Sequence, residues 1–347
     1  MSGTWTSQNK KLPGAYINIR TNEPLSITPG DRGTVVILQE ISAGTAGSVY
    51  TITATENDWP EKVTAADKKL ATEALKRSQK VLVYVLPGTH TTEHVTTALE
   101  KLKTVKFDTI CYPYDGENED PNKEAITAWV KAMREDEGVK CQAVIANHDA
   151  DYEGVINVVQ GVTLSDGATL TAAEVTAWVA GATAGASITT SNTGSVYAGA
   201  IDVSPRMPRS DMETAVDSGN FIFKVDSAQN VSVVYDINSL TTTTPEKGKM
   251  MTKNRVIRTV DGIANDVVSI FEAGYVGKVS NNEDGRSLLR AALVDYFVGL
   301  QNMGAIQNFE TDDVTILPGT DTDAVVVAAM IQPVDSVEKI YITVNLT

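Results

Sequence analysis

Cysteine is nearly absent from this chain: 347 residues contain two, Cys111 and Cys141, each inside an apolar run. That usage excludes a disulfide-stapled scaffold and predicts two buried thiols in neighbouring strands, as suits a reducing cytoplasm. Histidine is as scarce, with three residues, which leaves few options for a Ser-His dyad, and no G-x-S-x-G elbow occurs. Long apolar runs are missing too, so no segment approaches the roughly 18 residues of a membrane span. The first residues, Met1 to Gln8, carry neither the basic nor the apolar part of a secretory signal. Positive charge is the minority sign, 29 Lys and Arg against 44 Asp and Glu, for a net −15. A general nucleic-acid binder is thereby excluded, since counterion release needs clustered cations. The same charge keeps free subunits soluble until they meet a partner. Phosphate loops fail as well: Gly248-Lys249 and Gly277-Lys278 lack the upstream glycine and the following Ser or Thr.

What is present alternates strand and helix. The chain is long enough to bury a full core and to hold two or three domains. Gly33–Leu38 and Val49–Thr53 read as strands, with the Gly/Ala/Ser stretch 43–48 between them. A helix opens at Thr64, with Asp67 closing a capping box and Leu70, Ala74 and Leu75 on its inner face. Val81–Leu86, Phe107–Tyr112 and Cys141–Ala146 are apolar strands of the buried, parallel type. Val95, Leu99 and Leu102 keep helical spacing between the first two. Pro121, capped by Asp120, opens a helix carrying Ile126, Trp129, Val130 and Met133, and residues 171–180 form another. This pitch predicts an α/β unit with a parallel sheet. Phe221–Val225 and Val231–Ile237 then flank a turn as a hairpin, 241–248 is a loop, and helices follow at 252–272 and 284–303. Leu289, Leu293, Tyr296, Phe297 and Leu300 make the apolar stripe of the last.

Motifs that would carry chemistry are weak. His90-Thr-Thr-Glu-His94 matches the H-x-x-E-H pattern of a zinc peptidase class. Thr91 or Thr92 is the better helix cap, however, so the pair straddles a helix start and is expected to be a solvated terminus. His148-Asp-Ala-Asp151-Tyr-Glu-Gly154 starts like a calcium loop but places Gln160 where a bidentate Glu is required. The acidic stretch Asp115–Asp120 reads as a solvated loop. No catalytic residue, metal ligand or cofactor is expected.

Two other features are sharper. Residues 339–347 alternate strictly, with Ile340, Ile342, Val344 and Leu346 on one face and Lys339, Tyr341, Thr343 and Asn345 on the other. A second alternating piece lies near the start, with Ala15, Ile17 and Ile19 on one face and Tyr16 and Asn18 on the other. Such strands either complete the chain's own sheet or add to the sheet edge of another molecule. The second feature is charge: Lys247, Lys249, Lys253, Arg255 and Arg258 stand against Glu246 alone, and Arg286 and Arg290 follow one helical turn apart. That is either a basic face paired to the protein's own acids or a docking surface for an acidic partner.

In order and spacing, several runs together resemble the contractile-tail sheath proteins, of the short type found in phages and phage-tail-like bacteriocins of Gram-positive bacteria. They are Leu12–Asn18, Val234–Leu240, Lys253–Asp266, Gly277–Leu288 and Pro333–Leu346, with Asn147–Val158 and Tyr197–Ala200 fitting the middle. The resemblance implies an α/β, overall α+β, fold. Its parts would be an N-terminal arm at 1–20, a small α/β region at 21–90, an outer α/β domain at 91–230, a tube-facing domain at 231–333 and a C-terminal arm at 334–347. It also implies a sleeve subunit that polymerises with six-fold helical symmetry around an inner tube protein, between baseplate and tail-terminator proteins. Contraction would drive the tube through a target envelope without nucleotide, membrane contact or nucleic acid. Arm donation would then be the role of the alternating ends, and the seven basic residues would face the tube. Such a subunit is made in the bacterial cytoplasm and leaves by lysis. The alternatives are an α/β enzyme with its site near Pro87-Gly88 or Pro113–Asp115, and an acidic surface-layer protein, which the missing signal opposes.

Overall fold

The computed structural model describes residues 32–53 and 58–343. The expected N-terminal strand (Ala15, Tyr16, Ile17, Asn18, Ile19) and Val344, Asn345 and Leu346 lie outside the described residues.

Strands with apolar side chains on both faces need cover on both sides. Val35 and Ile37 of β1 (Thr34–Glu40) and Val81 and Val83 of β3 (Lys80–Leu86) enter one core, while Val36, Leu38, Leu82 and Tyr84 enter the other. Together with β2 (Val49–Ile52), β4 (Thr109–Tyr112), β5 (Gln142–Ala146), β6 (Val155–Val158) and the later β10 (Asn220–Phe221), these form a seven-stranded sheet of order β10-β6-β5-β4-β1-β3-β2. Only β2 runs antiparallel to its neighbour. Helices α2 (Thr92–Leu102) and α3 (Asp120–Glu135) cover one face, and α1 (Ala65–Leu75) and α4 (Ala172–Gly185) cover the other.

The boundary expected at residue 90 does not exist in this sheet: β1 hydrogen-bonds to both β3 and β4, so regions 21–90 and 91–230 share one core. Crossover connections carry the chain back and forth across the sheet, and sequence order therefore does not follow strand order. Helix α3 also begins one residue earlier than its Pro121 suggests, at Asp120.

Buried almost throughout, α4 lies between the sheet, α1 and a three-stranded antiparallel sheet of β7 (Gly161–Leu164), β8 (Thr169–Leu170) and β9 (Ala200–Ser204). Small residues make this possible. A Cβ on Gly181 would stand 2.2 Å from the Ala74 carbonyl oxygen of α1. Trp178 stacks on Tyr197 at 4.3 Å between ring centroids, filling the core beneath.

After α5 (Arg209–Asp217) comes the expected hairpin, β11 (Phe223–Val225) with β12 (Val231–Val233). The rest of the chain builds a smaller unit. Here α6 (Asn254–Ile270) passes through a π-helical turn at Phe271–Tyr275 into a loop and then α7 (Glu283–Asn302). The two helices run antiparallel: Tyr296 donates to Asp266, while Leu289 and Phe271 line one groove. Two short ribbons complete the unit, β13 (Ile306–Gln307) with β16 (Gln332–Pro333) and β14 (Val314–Pro318) with β15 (Val325–Ala329). Its core is the predicted stripe of α7, with Ala305, Ile306, Phe309 and Val314.

Candidate assembly surfaces

The residues first suspected of chemistry serve the fold. His90 is not a solvated terminus; its side chain is 4% exposed. Its Nδ1 lies 2.7 Å from Glu40 Oε1 and its Nε2 2.5 Å from the Tyr112 hydroxyl, which in turn donates to Glu119. Burial pushes the Glu40 carboxyl up, but the hydrogen bonds from His90 outweigh it and hold the group below its usual range. His94 accepts the Thr91 backbone N–H at Nδ1, 3.0 Å away, and so helps to cap α2. Gln160 is fully buried, donating to the Pro205 carbonyl and accepting from Phe223 N–H, both at 2.7 Å. Asp151 accepts the N–H groups of Thr241 and Thr242 at 2.7 and 2.8 Å. Asp115 is not merely solvated either, since it holds the buried Lys123 at 2.5 Å. Cys111 and Cys141 are free and buried, and burial pushes the Cys141 thiol up to about 12. Among the described residues no group of three or more His, Cys, Asp or Glu is placed to hold a metal ion, and no helix is long and apolar enough to cross a membrane.

The basic residues divide. Arg258 is completely buried and pairs with the equally buried Asp236 at 2.8 Å. It therefore cannot present charge to a partner, which corrects its expected place in a tube contact. Arg255 is 7% exposed and donates to Ser336 Oγ; Lys253 sits 3.7 Å above the Tyr235 ring and pairs with Glu338. Lys247 reaches Glu153 at 2.9 Å. Arg290 donates to the carbonyls of Val314 and Thr311, and Arg286 to Asn281. Only Lys249 has no side-chain partner among the described residues. Nor is there one basic face: Lys249 precedes α6 and Arg286 lies near its far end, so the length of that helix, roughly 25 Å, separates them. One-dimensional spacing missed this because the antiparallel hairpin sends the two clusters to opposite ends.

These buried charges form a seam between the large α/β unit and α6. Arg134 of α3 grips Asp261 with two bonds of 2.6 and 2.8 Å. Lys140 and Asn265 exchange a reciprocal pair of hydrogen bonds at 3.1 and 3.0 Å. Asn254 joins Asp236 and the Ile237 carbonyl, and Thr259 donates to the Ile188 carbonyl. Such a seam tolerates little displacement, because removing one partner of a buried ion pair costs about 3–5 kcal/mol.

Apolar surface is left open on the smaller unit and on the C-terminal segment. Residues 334–343 join no strand, and Val337, Ile340, Tyr341 and Ile342 are 75–90% exposed. Ile340, Tyr341, Ile342 and Thr343 thus pair with no strand among the described residues. The β14–β15 ribbon shows Leu317, Val326 and Val327 to solvent beside an open groove of about 300 Å³ lined by Val267, Phe271, Leu289 and Leu293. Its two edges differ. Met330 N–H bonds the Asp313 carbonyl and Gly319 N–H the Ala324 carbonyl, so the N–H groups of Val325, Val327 and Ala329 point outward from β15. On β14 the corresponding outer edge carries Pro318, which has no N–H to offer.

Residues 88–239 match the phage tail sheath protein central domain, and residues 246–347 the phage tail sheath C-terminal domain. The tail sheath protein of Clostridium phage phiCD119 is 30% identical over 280 residues, covering 77% of this chain and 75% of that one. The phage-like element PBSX protein XkdK of Bacillus subtilis is 38% identical over 260 residues, 72% of this chain and 55% of that one. The chain thus spans little more than half the length of the Bacillus relatives it matches. The crystal structure of the sheath tail protein from Desulfitobacterium hafniense superposes with a TM-score of 0.82 at 33% identity, covering 95% of this chain and 99% of that one. The helical sheath of the anti-feeding prophage in its contracted state shares the fold, with a TM-score of 0.75 at 13% identity and coverage of 97% and 99%. An α/β unit bonded to a small helical unit with open strand edges, matched along nearly its whole length, places this chain in the phage tail sheath protein family.

Proposed function

We propose that this protein is the repeating subunit of a contractile tail sheath, joined to its neighbours by strand donation. It polymerises around an inner tube, meets a baseplate at one end, and shortens to drive the tube through a target envelope. The role is structural, with no catalytic turnover, in a phage or phage-tail-like particle. The observation that carries this reading is the exposure of residues 339–343, the described part of the strictly alternating segment that begins at Lys339. These residues pair with no described strand, while β15 keeps a row of outward N–H groups beside an apolar groove. Strand addition would satisfy both at once: backbone bonds give affinity, and alternate side chains entering the groove set the register. In this reading residues 339–347 of one subunit dock on β15 of the next, and Ala15–Ile19 serve as a second donated strand.

Deleting residues 339–347 while keeping Glu338 tests it. The truncated subunit should remain folded, with an unchanged melting temperature and circular dichroism, yet form no sleeves by electron microscopy. Sleeves of normal length from the truncated protein would refute arm donation.

A further inference from the structure

Glu338 joins three parts of the chain. Its Oε1 accepts hydrogen bonds from Ser191 Oγ at 3.1 Å and Thr193 Oγ1 at 2.6 Å, and its Oε2 accepts one from Lys253 Nζ. Thr193 Oγ1 also accepts the Asp236 backbone N–H at 2.9 Å, which ties the cluster to the buried Arg258–Asp236 pair. Two residues earlier, Ser336 receives Arg255 Nη1 at 2.7 Å, and Asp335 lies 3.7 Å from Lys253. The Glu338 side chain is 7% exposed, although Val337 and Ile340 around it are 86% and 75% exposed. A carboxylate sunk into the body between two exposed apolar residues is taken out of water at a cost. Charge-assisted bonds must hold it there.

We propose that Glu338 is a positioning residue for assembly: it anchors the root of the C-terminal arm and fixes where, and in which direction, residues from Lys339 onward leave the subunit. The proposal rests on the arm-donation reading. Without the anchor the last fixed point of the arm would fall back to Ser336 on Arg255 and Val334 on the Ala305 carbonyl, beyond a β16–β13 pairing only two residues long, and Val337 and Glu338 would join the free segment. Each freed residue broadens the distribution of arm positions. Docking in one register needs one departure geometry, so the apparent affinity falls with the fraction of arms correctly posed. The anchor also distributes load. Tension on the arm reaches the Ser191–Thr193 loop of the large unit and the start of α6 together, instead of peeling β16 from β13.

The test uses the full chain with a nitroxide at Val337→Cys. Cys111 and Cys141 are buried and free, so the label attaches selectively. Glu338→Gln keeps an acceptor for the two hydroxyls and removes the charge; Ser191→Ala is the milder second variant should the first fail to fold. The expected result has three parts: the spectrum changes from restricted to mobile, the melting temperature stays within a few degrees, and the critical concentration for sleeve formation rises about tenfold, as it would if a tenth of the arms were correctly posed. A label that stays restricted in both variants overturns the anchor. A mobile label with unchanged assembly overturns its role in positioning. Normal sleeves from the 339–347 deletion would instead remove the arm-donation reading itself, whatever the label reports.

Discussion

At Gly181 two effects of one methyl group oppose each other. Alanine is favoured over glycine inside a helix by about 1 kcal/mol, and on an exposed helix the substitution would stabilise. Here the new Cβ would meet the Ala74 carbonyl at 2.2 Å, a backbone atom that cannot rotate away, and overpacking of this kind costs about 1–3 kcal/mol. The clash wins. Gly181→Ala is expected to lower the melting temperature by several degrees, measured calorimetrically against the same substitution at Gly299 of α7, a helical glycine with open space around it. Local chemistry of this range was legible in the sequence where both partners lie within a few positions. The Thr64–Asp67 capping box forms as read, with Asp67 N–H donating to Thr64 Oγ1. His90 was misread because its partners, Glu40 and Tyr112, lie 50 and 22 residues away. Arg258 was misread for the same reason. A basic run looks alike whether its counter-charges are in solvent or, like Asp236, brought in by the fold.

Among elements, the ribbon of β14 and β15 carries the proposed strand donation. A free edge invites pairing, and natural edges are commonly blunted with proline or charge. β14 has such a device in Pro318, while β15 has none, which favours β15 as the acceptor in the proposed strand donation. Ala329→Pro would remove one outward N–H of β15 without touching its bonds to β14. The variant should fold normally, since Ala329 is exposed, but sleeve formation should be lost or strongly reduced when followed by sedimentation. Normal sedimentation of sleeves would point to a different edge. The strands and helices themselves could be read from periodicity, including the α7 stripe that became the small unit's core. Strand order could not. β10 crosses from the hairpin region into the large sheet as a two-residue strand, too short for any periodic signal.

For the whole molecule, charge limits how the subunit could face the inner tube proposed for it. The pattern of cations suggested seven contacts. Most are held within the subunit, and the Arg286 end is crowded by Glu283, Asp284 and Asp323. Lys249 remains exposed and uncompensated. Within the proposed sleeve it is the best candidate for a tube contact that holds before triggering and releases afterwards, since single exposed pairs contribute about 1 kcal/mol or less. Lys249→Glu should weaken co-assembly with tube protein, more at low salt than at high, and leave tube-free sleeves intact; Arg286→Glu serves as the control for general charge. Equal behaviour of the two variants would remove Lys249 from the contact. The seam around Arg134–Asp261 and Arg258–Asp236 bears on the same motion. An apolar joint is ductile, because greasy surfaces slide and most of their contact energy survives each small slip. A joint of paired buried charges is less forgiving, because its directional bonds weaken with small displacement and a separated pair leaves buried charge uncompensated. A sleeve built from such units, as proposed, would therefore yield first in the thin connections between neighbours and not by slow slippage within the subunit.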